Sequence, residues 1–100
     1  MVVEHERFRN EVVNNFIDSK GCLKAIPSQL KKKLIIFEHI VKKLNVDEIY
    51  SEKDINEHIK KFHIDFCTIR REFIVNGFMS RNNGIYKLNP KDTWKRWEDL

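Results

Sequence analysis

Three glycines and two prolines in 100 residues leave this chain few places to turn sharply, so each of them marks a boundary. Gly21 closes a first amphipathic helix, read as residues 4–18, in which Phe8, Val12 and Phe16 recur every four positions. Pro27, with Ser28 as cap, opens a second helix over residues 28–44, where Leu30, Leu34, Phe37, Val41 and Leu44 follow one face. Gly77 is placed to end a later helix as its left-handed C′ residue. Asn83-Gly84, between Phe78-Met79-Ser80-Arg81 and Ile85-Tyr86-Lys87-Leu88, predicts a tight β-hairpin. Asn89-Pro90 has the form of a helix start, and Trp94, Trp97 and Leu100 would share one face of a last helix over residues 90–100.

Between these boundaries, Asp47-Glu48-Ile49-Tyr50 is extended in character. Ser51 with Asp54 nearly forms a capping box for a third helix carrying Ile55, Ile59 and Phe62. Asp65 caps a fourth helix that runs to Asn76 and buries Phe66, Ile69 and Phe73. Helix, short strand, helix, turn, helix, hairpin over residues 28–88 is the element order of a winged helix-turn-helix. The expected fold class is therefore mainly α with a small β-hairpin: one domain over residues 1–100, its core 28–88 extended by N- and C-terminal helices.

At 41% hydrophobic residues, a chain of this length supports one modest core and no large internal cavity. The longest apolar run, Leu34-Ile35-Ile36-Phe37, stops at Glu38, far short of a membrane span. The first residues, Met1-Val2-Val3-Glu4-His5-Glu6, lack the order of a signal peptide, so the expected location is cytoplasmic. Cys22 and Cys67 are expected as reduced thiols.

The net charge of +4 favours a polyanionic partner without requiring one. Its distribution is uneven: net +6 over residues 20–43, −3 over 44–65 and +3 over 66–88. On the fourth helix, Arg71 and Val75 lie about 160° from the buried stripe, Thr68 about 140° and Cys67 about 120°. Thr68 and Arg71 thus face outward, and the hairpin adds Arg81 and Lys87, a set suited to duplex DNA. Arg70, about 60° from the stripe, is expected to lie along the core edge or to pair with Asp65 or Glu72. The candidate nucleic-acid-binding residues are Thr68, Arg70, Arg71, Arg81 and Lys87. Lys31-Lys32-Lys33 and Lys42-Lys43 read first as the solvated face of an amphipathic helix.

Other chemistry has weaker support in the sequence. His63 and Cys67, with His58 and Asp65 nearby, have a conceivable metal spacing, but no Cys-x-x-Cys or His-Glu-x-x-His motif supports it. Three scattered glycines cannot build a phosphate loop, and Asp47, Glu48, Glu52, Asp54 and Glu57 gather where a helix N-terminus favours acids. No cofactor is expected, and enzymatic function is the class with least support.

Leu23-Lys24-Ala25-Ile26-Pro27, Lys31-Lys32-Lys33-Leu34, Tyr50-Ser51-Glu52-Lys53-Asp54-Ile55-Asn56, Phe62-His63-Ile64-Asp65, Thr68-Ile69-Arg70-Arg71-Glu72-Phe73 and Gly77-Phe78-Met79-Ser80-Arg81 together resemble a prokaryotic family catalogued as domain of unknown function twenty-eighty-seven. The resemblance spans roughly residues 8 to 88. It departs at Asp54, where Glu is usual, and at Phe73, where Leu is usual. The family occurs alone and as a C-terminal module behind helix-turn-helix regulators, so the resemblance implies a bacterial protein linked to transcription, with no established activity.

Two functions from different classes follow as expectations. One is a DNA-binding regulator or accessory protein. The other is a winged-helix module for protein docking or dimerisation, since Phe8, Phe16, Trp94 and Trp97 exceed the aromatic needs of a minimal winged helix. The terminal helices should pack together or across a two-fold axis, and a homodimer through them is the favoured form.

Overall fold

Leu34-Ile35-Ile36-Phe37 followed by Ile40 and Val41 puts apolar side chains around most of a helix circumference, so such a helix must be covered from more than one side. The computed structural model, which describes residues 2–100, makes it the central element. α2 (Leu30–Val41) buries all six of those residues. α1 (Val2–Phe16) covers one side of it, with Val12 buried and Phe8, Val13 and Phe16 packed against the same core. The other side meets α3 (Glu52–Lys60), α4 (Phe66–Val75) and a sheet of β1 (Ile49–Ser51), β2 (Met79–Asn82) and β3 (Ile85–Leu88).

Phe37, Phe73 and Phe78 meet edge to face or tilted at the junction of α2, α4 and the hairpin, with centroids 5.4 to 6.2 Å apart. Ile69 and Phe73 are the buried positions of α4, as its periodicity predicts. Ser51 does cap α3: its Oγ accepts from the Asp54 N–H at 3.0 Å, and the Asp54 carboxylate accepts from the Ser51 N–H at 3.4 Å. Asp replaces the longer Glu of the usual box without loss of either bond.

α4 ends as a Schellman motif. Gly77 has φ +80°, its N–H reaches the Ile74 carbonyl at 3.3 Å, and the Phe78 N–H reaches Phe73 at 2.9 Å. Asn83 and Gly84 both have positive φ, 52° and 78°, and form the two-residue hairpin loop whose twist matches the flanking strands. β1 adds itself antiparallel to the far side of β3, giving the order β1-β3-β2. The result is a mixed α/β domain with a three-stranded antiparallel sheet, and the fold is compatible with a winged helix.

Several boundaries differ from the sequence reading. The hairpin is not alone, because Ile49–Ser51 pairs with it. The first helix ends at Phe16, not Asp18; Asp18 instead takes the N–H groups of Lys20 and Cys22 at 2.9 Å each, and Gly21 serves that turn. The Cys22 N–H, more than any other group, holds the Asp18 carboxyl below its usual pKa. The second helix starts at Leu30 behind Gln29, so Ser28 caps nothing, and it ends at Val41, three residues short of Leu44.

The largest correction lies at the C-terminus. Residues 90–100 form no continuous helix but two single 3₁₀ turns, Lys91–Thr93 and Trp97–Asp99, joined by extended backbone. The two tryptophans go to different places. Trp94 lies on Phe78 at 5.0 Å and donates its indole N–H to Asn89 at 2.9 Å, whereas Trp97 is buried beside Phe8, 6.1 Å away, and His5. A regular helix would hold both rings on one face; the extended link lets each fill its own gap. The ends of the chain therefore pack on each other within one molecule.

Candidate nucleic-acid interface

α4 runs along the surface with one uncovered side. Cys67, Arg71 and Val75 are exposed and Thr68 is half-buried, which is the phase expected from the stripe through Ile69 and Phe73. Glu72, the acid next to Arg71, is drawn away: both its carboxylate oxygens lie 3.3 Å from Lys33 Nζ, and this ion pair ties α4 to α2. Among the described residues Arg71 has no ion-pair partner and is left as the free charge of that helix face. Lys31 is engaged in another way, its ammonium lying 5.0 Å over the Phe8 ring. Two of the three lysines opening α2 thus serve packing.

Arg70 does not pair with Asp65 or Glu72. Its guanidinium donates to Asn56 Oδ1 on α3, fixing the α3–α4 angle. Asn56 was not singled out by periodicity, which reads a polar position on a helix as solvated; only the crossing of two helices reveals it as a partner. Beside this contact the buried Tyr86 donates to Glu52 Oε1 at 3.1 Å. Burial, with Glu52 adding to it, pushes the Tyr86 phenol above its usual pKa, while Arg70 and Arg81 oppose the rise. Arg70 and Arg81 therefore both stand near Tyr86.

The register separates the two hairpin cations. Arg81 is opposite Tyr86, on the sheet face turned toward the helices, whereas Lys87 is opposite Ser80 and Ile49 on the outer face. Of the five candidate residues, Thr68 and Arg71 lie on α4, Arg70 is occupied as a brace, and the hairpin cations Arg81 and Lys87 lie on opposite sheet faces.

Among the described residues, no three His, Cys, Asp or Glu side chains converge as a metal site. His63 Nδ1 accepts the Asp65 N–H at 3.0 Å, and His58 Nε2 lies 2.8 Å from the Ile40 carbonyl, linking α3 to α2. Cys22 and Cys67 are free thiols. Among the described residues, no helix is long and apolar enough to cross a membrane.

What the fold and this surface define is a small basic domain of helices and a three-stranded sheet, with one helix uncovered. The chain belongs to the family described as uncharacterized protein conserved in bacteria (DUF2087), whose model matches residues 22–88. The match begins beyond α1 and ends at the last residue of β3, so the terminal segments that pack together lie outside it. No curated protein and no solved structure matches the chain significantly.

Proposed function

We propose that the chain is a winged helix-turn-helix DNA-binding protein of a transcriptional kind, with α4 as its reading helix and the β2–β3 hairpin as its wing. The observation that carries this reading is the exposed face of α4, where Arg71 makes no ion pair among the described residues while Glu72 is neutralised by Lys33. An Arg there can bond two acceptors of a base or a phosphate, and Thr68 can donate to either. Lys87 is a contact only for DNA that wraps around the hairpin tip.

A second reading has its own support. Val75, 80% exposed at the end of α4, and Ile64, 87% exposed just ahead of its N-cap Asp65, put apolar surface at both ends of the helix that carries Thr68 and Arg71, more than phosphate tracking needs. This favours a protein-docking helix, and a second copy of the chain is one such partner.

Anisotropy of a labelled random-sequence duplex, titrated at several salt concentrations, separates the two. DNA binding predicts an affinity that falls steeply with salt, and Arg71→Ala should weaken it by about 1–3 kcal/mol. Absence of binding even near roughly 50 mM salt would remove the DNA reading and leave the docking one.

A further inference from the structure

A cleft of about 760 Å³ opens between α1, the second half of α2 and the Lys91–Trp94 turn, reaching Leu88 at the base of β3 but no residue of α4. Its size falls within the roughly 300–1,000 Å³ of small-molecule sites. Val13, Leu44 and Trp94 supply apolar wall. Trp94 is fixed by its stacking on Phe78 and its hydrogen bond to Asn89, so that wall is formed in advance.

One polar group in the cleft lacks a reason within the chain. Glu38 is half-buried, yet among the described residues its carboxylate makes no hydrogen bond and no ion pair. Arg9 and Lys91 stand at the same cleft, close enough to favour its charged form but not joined to it. Taking a carboxylate out of water is costly unless a donor meets it, and here none comes from the protein. With Lys42 added, the lining holds three cations against this one acid, and beyond the lining Glu98 and Arg96 also act on Glu38 with opposite signs, so an anionic group is accommodated at the rim beside Arg9, Lys42 and Lys91.

We propose that the cleft binds a small zwitterion with a bulky apolar body, of the apolar α-amino-acid type. The ligand's ammonium meets Glu38, its carboxylate meets Arg9 or Lys91, and its side chain lies on Val13, Leu44 and Trp94. A ligand with only one of the two charges leaves either Glu38 or the cations unanswered. The proposal is independent of whether α4 reads DNA, because none of Thr68, Arg71, Arg81 and Lys87 lines the cleft.

The test is a two-dimensional amide NMR titration of the full chain with L-leucine, L-phenylalanine and L-tryptophan, and with phenethylamine and 3-phenylpropionate as single-charge analogues. The expected result is saturable shifts at residues 9–14, at Glu38 and at the Trp94 indole for at least one amino acid, with little change at the Trp97 indole. L-phenylalanine should bind at least roughly tenfold more tightly than either analogue. Glu38→Gln should erase its advantage over 3-phenylpropionate. Should that variant fail to fold, Asn14→Trp, an exposed α1 position facing the cleft, should block binding while leaving the spectrum otherwise intact. Absence of shifts for all three amino acids up to roughly 10 mM, equal affinity for both analogues and L-phenylalanine, or full binding by a folded Glu38→Gln or Asn14→Trp protein would overturn the proposal.

Discussion

Glu38 and His39 are neighbours on α2, and burial disturbs both in ways that make stability depend on pH. Desolvation raises the Glu38 carboxyl above its ordinary pKa, and Glu98 adds to this while Lys91, Arg9 and Arg96 oppose it. Between the ordinary and the raised value the folded state holds the extra proton, so stability falls as pH rises through that window and the cost persists at neutral pH. Glu38→Gln should therefore raise the melting temperature at pH 7, and the gain should vanish once the carboxyl is protonated in both states; calorimetry across pH 3.5 to 7 reads this. A gain in stability from the same change that loses a ligand is the pattern of a residue kept for binding. His39 is lowered, first by desolvation and then by Lys42 and Lys43, so it costs stability as pH falls below about 6.5, where the unfolded chain takes the proton first. On α4 the contrast is between faces. Arg71→Ala should leave the melting temperature nearly unchanged, whereas Ile69→Ala or Phe73→Ala, each removing a fully buried side chain, should cost about 2–5 kcal/mol in urea unfolding. Equal losses for Arg71 and Ile69 would put the helical phase in error.

At the scale of elements, two glycines with nearly the same φ should respond differently to alanine. At Gly84, φ +78°, an added Cβ meets nothing within 4 Å, so only backbone strain of about 1–2 kcal/mol is expected. At Gly77, φ +80°, the same atom falls 2.6 Å from the Thr93 carbonyl oxygen, and Gly77→Ala must also push the C-terminal segment off α4. About 2–5 kcal/mol is expected there, and similar melting temperatures for the two variants would mean that the segment is not seated on Gly77. The sequence made both positions legible as turns, because a helix C′ site and a hairpin loop each demand positive φ. The capping box and the α4 stripe were legible for the same kind of reason: they are written in residues within one helical turn or two. The last segment was not. Asn89-Pro90 has the local form of a helix start, but Asn89 instead donates its amide to the Gly77 carbonyl at 3.0 Å and takes the Ser80 hydroxyl, and the two tryptophans seek gaps that only the assembled core defines. The Arg70–Asn56 brace and the division of Arg81 from Lys87 depend in the same way on a helix crossing and a strand register, neither of which a one-dimensional pattern contains.

For the molecule as a whole, the terminal aromatics decide whether the domain stands alone. Phe8, Val12 and Phe16 on α1, with Trp94 and Trp97 at the other end, are more apolar surface than a domain of residues 28–88 can cover, and the sequence predicts that the two ends pack together or across a two-fold axis, with the homodimer favoured. The first of these is what the structure shows: Trp97 is enclosed between α1 and α2, Val12 is buried, and Trp94 closes over Phe78. Much of that surface is covered inside one chain, while Phe8, Phe16 and Trp94 stay half-buried and Leu100 exposed; the most exposed large apolar side chains, Ile64 just ahead of α4 and Val75 at its end, lie elsewhere. Removing residues 90–100 reverses that economy: it uncovers Phe8 and Phe78 together and deletes a buried tryptophan. Loss of such a ring costs about 3–5 kcal/mol, which for a domain of this size corresponds to a fall of roughly 10–30 °C in melting temperature. Light scattering should give the full chain the mass of one 12.1 kDa molecule and should show the shortened chain self-associating through the bared aromatic surface. A shortened chain that stays monomeric with an unchanged melting temperature would mean that Trp94 and Trp97 do not complete the core.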